Sequence, residues 1–155
     1  MNSEVIKAVI QRISCGVYII GVKTGSKVNG MTAAWVTQAS FSPPTVLIAV
    51  GKTHYTADMI SEAGFFSVNI LSENQFDVAK KCGFISGKDT DKLADIEYST
   101  AVTGAPLIKG TAAWMECKVS GKFEVADHWV FAGEVINAGD NGQNVRLYKP
   151  KDFFD

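Results

Sequence analysis

One stretch of the sequence, residues 29–56, collects most of the side chains that could bind a small ligand. Its first part contains small residues that would let a flat ring approach the backbone, namely Gly30, Thr32, Ala33 and Ala34. Its last part, residues 52–56, combines a lysine, an imidazole and several hydroxyls just before a helical pattern. Free amide groups and the helix dipole bind a phosphate well at such a position. A ring site followed by a phosphate site predicts a mononucleotide ligand such as FMN.

The donors to the ring are predicted to be backbone amides of residues 32–35 and 40–42, and residues 52–56 are predicted to hold the phosphate. This assignment places the following residues at the cofactor: Asn29, Met31, Thr32, Ala33, Ala34, Trp35, Ser40, Phe41, Ser42, Lys52, Thr53, His54, Tyr55 and Thr56. Two simpler interpretations stay open. The threonines of residues 52–56 could serve only to cap a helix, and Trp35 could be only a core or interface aromatic.

Strands are predicted on both sides of the ring site. Residues 31–37 and 45–50 form strand-like runs around a polar elbow at 38–44, and the β-branched run 16–23 is typical of a buried strand. The turn at residues 24–30 would make the first hairpin, so the ligand-binding stretch begins directly beside the first strand.

Three helices are predicted around these strands. Residues 1–13 are amphipathic, residues 57–63 form a short helix ended by Gly64, and the capping box at 72–75 begins a helix that reaches about Cys82. The polar loop 84–93 that follows is long for a compact domain, which favours a role as a wall of the site.

In the later part of the sequence, apolar and polar residues alternate with the two-residue period of a β-strand. From Thr111 onward, one face is predicted to carry Met115, Cys117 and Val119, and the other Trp114, Glu116 and Lys118. Residues 123–125, 129–136 and 145–148 supply three more strands. Many strands with few helices predict a mainly β fold with peripheral helices, a closed antiparallel barrel formed as a single domain over residues 1–155.

Composition restricts the class of protein. With 46% apolar residues, 20% charged residues and a net charge of −1, the sequence is typical of a globular protein that binds neither membrane nor nucleic acid. The three cysteines, Cys15, Cys82 and Cys117, include no CxxC pair, so we predict no metal site. We expect them to be reduced thiols in a cytoplasmic protein.

Four motifs resemble those of a known family. They are N-G-M-T-A-A-W-V-T-Q-A-S-F-S-P-P at 29–44, G-K-T-H-Y-T at 51–56, C-G-F-I-S-G-K-D-T-D-K-L at 82–93 and A-D-H-W-V-F-A-G-E-V at 126–135. The sequence resembles the flavin reductase-like family of FMN-binding split barrels. Within this family, the sequence resembles the branch that contains NADH:FMN oxidoreductases, flavoredoxin and the flavin domains of high-molecular-weight rubredoxins.

This resemblance implies a closed Greek-key split barrel and a homodimer with FMN at the subunit interface. We expect the first helix and the loop 84–93 to cross over to the second subunit. The resemblance also places His128 on the open face of the flavin, where it would contact NADH or NADPH, and it adds Lys92 to the cofactor-binding residues. Ala126 stands where many relatives have glycine.

Two functions stay open. The first is an oxidoreductase that takes hydride from NAD(P)H and passes electrons to free flavin, ferric chelates or a redox protein such as rubredoxin. The second is an FMN-binding electron carrier with no NAD(P)H activity of its own. Because the sequence lacks the two cysteine pairs that a rubredoxin module needs, such a module would be on another chain or in a part of the protein not included in this sequence.

Overall fold

The computed structural model describes residues 2–154, in which strands predominate. The helices of this range are α1 (Ser3–Ile10), α2 (Tyr55–Ala63) and α3 (Phe76–Gly83), with a short 3-10 turn at Pro150–Asp152. The strands are β1 (Tyr18–Thr24), β2 (Lys27–Ala33), β3 (Val36–Phe41), β4 (Pro44–Gly51), β5 (Phe65–Ile70), β6 (Tyr98–Ser99), β7 (Leu107–Ile108), β8 (Ala113–Val125) and β9 (His128–Asp140). The predicted mainly β fold with peripheral helices is confirmed.

Seven strands form one antiparallel sheet in the order β2-β1-β5-β8-β9-β4-β3. The sheet is strongly curved: β1 and β4 are separated by three strands, yet both contribute side chains to the same core. That core is closed by α2 and includes Ile20, Val22, Val46, Ile48, Met59, Ile60, Phe66 and Phe131. Within residues 2–154 no ladder joins the edge strands β2 and β3, so the predicted closure into a barrel is not confirmed.

A second apolar layer fixes α3 and the following loop against the outer face of β1 and β2. It contains Val17, Ile19, Leu71, Ala79, Cys82, Leu93, Ile96 and Ile108. The hydroxyl of Thr32 donates a hydrogen bond to the carbonyl of Ala79 at 2.6 Å, which ties β2 directly to α3. Residues far apart in the sequence are thereby brought to the same side of β2.

The predicted elements mostly exist, with different bounds. The first helix covers Ser3–Ile10 rather than 1–13, and Met1 lies outside the described residues. The turn predicted at 24–30 is limited to Gly25 and Ser26, because β2 already begins at Lys27. Gly64 has a φ of 72° and ends α2, as predicted. None of the described helices is long and apolar enough to cross a membrane.

Two predicted strands differ from the structure. The run 31–37 is divided, because β2 ends at Ala33 and β3 begins at Val36. Residues 145–148 form only isolated bridges, one between Gly16 and Leu147 and one between Ser72 and Val145. The segment therefore crosses the surface beside residues 15–17 and 71–73 without joining the sheet.

From Thr111 onward the sequence predicts that successive side chains point to opposite faces of the strand. This alternation fails at Glu116, because the pairing of β8 with β9 shifts register between Glu116 and Cys117. Both side chains are buried as a result. The Glu116 carboxylate accepts hydrogen bonds from the amides of Val102 and Thr103, the Thr103 hydroxyl and the Asn137 amide group. Burial alone would raise the pKa of Glu116, but these hydrogen bonds lower it.

The turn between β8 and β9 carries a strained residue. Ala126 has a φ of 49°, a left-handed conformation that a side chain disfavours by about 1–2 kcal/mol. We expect Ala126→Gly to raise the free energy of unfolding by about 1 kcal/mol or less, because the relief of strain is partly offset by the greater entropy of unfolded glycine. Urea denaturation measures this change.

Ala138→Gly is the matched control, since Ala138 is an exposed residue of β9 without a positive φ. Glycine should destabilise that strand by about 0.5–1 kcal/mol. Equal losses of stability in both variants would contradict the assigned strain at Ala126.

Candidate functional site

Two clefts meet on the exposed side of β2. The wide cleft has a volume of about 350 Å³, and its walls include Met31, Thr32, Ala33, Ala34, Trp35, Ala49, Gly51, His128 and Phe153. The narrow cleft has a volume of about 240 Å³ and is lined by Thr53, Tyr55, Thr56, Ser86, Gly87 and Lys92, among others. Because Met31, His54, Gly83 and Phe84 line both, the two clefts are continuous.

Residues 31–34 form the floor of the wide cleft, and the small side chains of Thr32, Ala33 and Ala34 leave the backbone accessible. β2 is an edge strand, so alternate backbone groups along it have no strand partner. On one side of the cleft, the rings of Trp35 and His128 lie 4.8 Å apart between centroids. Trp35 is 53% exposed because it lies in the break between β2 and β3. The cleft can therefore accept a flat ring against the backbone.

The narrow cleft lies at the beginning of α2. The N-cap residue His54 makes no side-chain capping hydrogen bond, and in the first turn the Ala57 amide donates to the His54 carbonyl at 3.1 Å. The amides of Tyr55 and Thr56 are therefore not capped by the His54 side chain. Thr56 lines the cleft, and its hydroxyl oxygen accepts a hydrogen bond from the Asn29 side chain at 3.1 Å. The simpler interpretation, in which a threonine caps the helix, does not describe this structure.

Lys92 supplies the cation of the narrow cleft. Its side chain is 9% exposed, and Nζ donates to the carbonyl of Cys82 at 3.1 Å. Burial lowers the pKa of Lys92, an effect that its neighbour Cys82 opposes. None of the ion pairs among residues 2–154 involves Lys92, so an anion in the cleft would be its counter-ion.

Lys52 points elsewhere. Its ammonium group pairs with Glu124 and lies 5.3 Å from the centre of the Trp129 ring, and it lines neither cleft. Of the two lysines predicted at the cofactor, Lys92 lines the narrow cleft and Lys52 does not. The two lysines differ because Lys92 belongs to the loop after α3, which lines the narrow cleft, whereas Lys52 lies beside the β8–β9 hairpin.

The structure does not bring every predicted residue to the clefts. Ser40, Phe41 and Ser42 lie at the exposed end of the β3–β4 hairpin, where Phe41 is 91% exposed. Asn29 is buried behind Thr56 and supports it from below. The predicted residues that line a cleft are Met31, Thr32, Ala33, Ala34, Trp35, Thr53, His54, Tyr55, Thr56, Lys92 and His128.

The two histidines have different environments. His128 begins β9 opposite Gly51, and its Nδ1 lies 2.7 Å from the Asp127 carboxylate. His54 Nδ1 lies 3.1 Å from the sulfur of Met31. Burial lowers the pKa of His54, and the charges of His128 and Lys92 lower it further. An uncharged imidazole is therefore favoured where the clefts join.

Sequence reasoning missed an aromatic wall. Tyr148, Phe153 and Phe154 line the wide cleft although they lie far from its other residues in the sequence. No motif marked them, and the segment 145–148 had been predicted only as a strand. The predicted wall at residues 84–93 does reach the narrow cleft, through residues 84–87 and Lys92. No group of three or more His, Cys, Asp or Glu within residues 2–154 could hold a metal ion.

Comparison with known proteins gives consistent matches. Residues 10–155 match the flavin reductase like domain. A flavin reductase of Pseudomonas putida is 31% identical over 130 residues, which are 83% of this chain and 75% of that protein. The structure of an NADH:FAD oxidoreductase from Streptomyces globisporus superposes with a TM-score of 0.88 at 31% identity, covering 96% of this chain and 90% of that one.

A longer protein also matches. Diflavin flavoprotein A 1 of a Synechocystis species is 34% identical over 139 residues, which are 88% of this chain. The chain spans only 24% of the length of that protein.

Proposed function

Because the chain belongs to the flavin reductase-like family, we propose that it binds FMN in the two joined clefts and reduces it with NADH or NADPH. One observation carries this proposal: a wide cleft with a backbone floor continues into a narrow cleft that holds a buried lysine and the uncapped start of α2. This order of ring site and anion site fits a flavin mononucleotide. The resemblance to the family is confirmed by the matches above.

A bound flavin would accept hydride at N5 and take up negative charge near N1 and O2. The task of the protein is then to fix the ring, supply donors to its polar edge and leave one face open. In this proposal, backbone amides of residues 32–35 are the donors, since the small side chains of Ala33 and Ala34 allow close approach. Thr53, Thr56 and Lys92 bind the phosphate with the first amides of α2.

His128 is the proposed catalytic residue. It lines the wide cleft beside Trp35, on the side where the cleft is exposed. Asp127 accepts from Nδ1 and so directs Nε2 away from itself, which would let the imidazole contact the nicotinamide donor. The role is one of positioning a donor, because hydride transfer between two bound rings requires no general base from the protein.

The proposed flavin is FMN rather than FAD, although one structural neighbour carries the name NADH:FAD oxidoreductase. The end of the narrow cleft is restricted by the loop after α3. Lys27 Nζ donates to the carbonyl of Lys88 at 3.1 Å, and a side chain at Gly87 would meet Asn29. Both contacts hold the loop against β2 at the narrow cleft, which limits its length and so supports a monophosphate.

We further propose that the protein is a homodimer. The apolar side chains of α1 are all exposed, and the helix contributes no buried residue: Val5, Ile6, Val9 and Ile10 lie on it and Ile13 follows it. A second subunit that covers α1 and the open side of the wide cleft would bury this surface. Light scattering is expected to give twice the mass of one chain. A monomer that still binds FMN tightly would contradict the dimer.

The reaction is tested by steady-state consumption of NADH and NADPH with FMN, FAD or riboflavin added. Turnover with FMN and one of the two donors is the expected result, with free oxidised flavin, a ferric chelate or a redox protein such as rubredoxin receiving the electrons. If the protein binds FMN but consumes neither donor, it is an electron carrier. If it binds no flavin, the proposed function is wrong.

A further inference from the structure

Residues 146–154, here named the aromatic clasp, have no part in the function described so far. Three of their side chains, Tyr148, Phe153 and Phe154, line the wide cleft on the side of Phe84, whereas Trp35 and His128 form its other side. The clasp follows the last strand of the sheet and has only a 3-10 turn, Pro150–Asp152, of its own. Something else must therefore hold it in place.

The beginning of the clasp is held by backbone hydrogen bonds to two neighbouring segments. The Arg146 amide donates to the carbonyl of Leu71 at 2.9 Å, and the Arg146 carbonyl accepts from Val17 at 3.1 Å. The Tyr148 amide donates to the carbonyl of Cys15 at 2.8 Å. These bonds fix the direction in which Tyr148 leaves the surface.

The remaining part of the aromatic clasp is held in place by the side chain of Arg146. Its guanidinium pairs with Asp152 at 3.1 Å, donates to the carbonyl of Glu73 at 3.0 Å and lies 4.6 Å from the centre of the Phe76 ring. The Arg146 and Asp152 side chains are only 19% and 24% exposed, so this pair is shielded from solvent far more than an ordinary surface pair. The pair bends the clasp back toward α3.

Phe153 is placed at the cleft by that bend. Its ring packs on Tyr148 at 5.5 Å, on Phe76 at 5.7 Å and on Phe84 at 6.4 Å between centroids. Phe84 belongs to both clefts, so the cluster forms a continuous apolar wall where the ring site meets the phosphate site. Aromatic rings at such spacings stabilise each other beyond the area they bury.

We propose that the aromatic clasp packs against the bound flavin and sets how long the flavin stays in the cleft, with Arg146 as the positioning residue. The inference rests on the proposed function. The floor of the cleft and the phosphate site would determine which flavin binds. In this proposal the clasp rings hold the flavin on the side opposite Trp35 and His128, and these contacts slow its release. The clasp would thereby separate a flavin kept as a cofactor from one exchanged as a substrate.

The test is the rate at which FMN leaves the protein, followed by flavin fluorescence after dilution into excess competing apoprotein. We expect Phe153→Ala and Arg146→Met to release FMN about tenfold faster, with a matching rise in Kd, since tenfold corresponds to about 1.4 kcal/mol. Lys151→Ala is the matched control, because Lys151 is an exposed clasp residue that lines neither cleft. Arg146→Lys should recover part of the loss.

Thermal melting of each apoprotein shows whether a variant is folded. If Phe153→Ala does not fold, Phe154→Ala replaces it, because Phe154 lines the wide cleft and is 65% exposed. Folded variants that release FMN at the wild-type rate would overturn the proposed role of the aromatic clasp and leave the proposed function intact. A wild-type protein that binds no FMN would overturn both.

Discussion

Replacement of Lys92 by methionine is expected to weaken FMN binding by about 10- to 100-fold, the range of a lost charge-assisted hydrogen bond. The reason is that Lys92 is the buried cation of the narrow cleft and forms no ion pair within residues 2–154 that would neutralise it. Riboflavin, which has no phosphate, should bind the variant and the wild type almost equally. Fluorescence titration with both flavins measures the two affinities.

Lys52→Met is the matched control, because it removes the same charge from a lysine that pairs with Glu124 outside the clefts. We expect less than about a threefold loss of FMN affinity there, as is usual when an exposed pair is removed. The reverse order, with Lys52 essential and Lys92 dispensable, would contradict the assigned phosphate site.

Replacement of His128 by alanine is expected to slow the reduction of bound FMN by NADH about 100-fold, a loss typical of a mispositioned reactant. FMN affinity should stay nearly unchanged, since His128 lies at the exposed side of the wide cleft and away from the narrow cleft. Anaerobic stopped-flow absorbance gives the rate. Dithionite needs no donor site, so it should reduce the variant and the wild type equally fast.

His128 could instead have only a structural role at the wide cleft. If NADH reduces the variant at the wild-type rate, the imidazole serves only to pack against Trp35 and to pair with Asp127. In that case the donor would be positioned by other groups of the cleft.

The part of the site that depends on local sequence could be predicted. The small residues at 32–34 lie at the end of a strand and the cluster at 53–56 at the beginning of a helix, and the structure places both at the joined clefts. Gly64 marked the end of α2 because only a residue without a side chain favours its positive φ.

The rest depends on contacts between distant segments. The choice of Lys92 over Lys52 follows from the way the loop after α3 folds back on β2, held by Lys27 and Gly87. The aromatic clasp follows from the Arg146–Asp152 pair, which no periodicity reveals. The alternation of β8 failed at Glu116 because the register shift buries two consecutive side chains. Side-chain packing and strand pairing between distant segments override the structure that the local sequence pattern predicts.

In the proposed reaction, this chain transfers hydride from a nicotinamide donor to a flavin held in the joined clefts. A single turnover tests it most directly: the FMN-loaded protein is mixed anaerobically with NADH carrying either hydrogen or deuterium at C4, and loss of the oxidised flavin absorbance is followed. We predict rapid bleaching by NADH, or by NADPH in a parallel series, that becomes slower with the deuterated donor. FMN that is bound and bleached by dithionite, but by neither nicotinamide donor, would contradict the account.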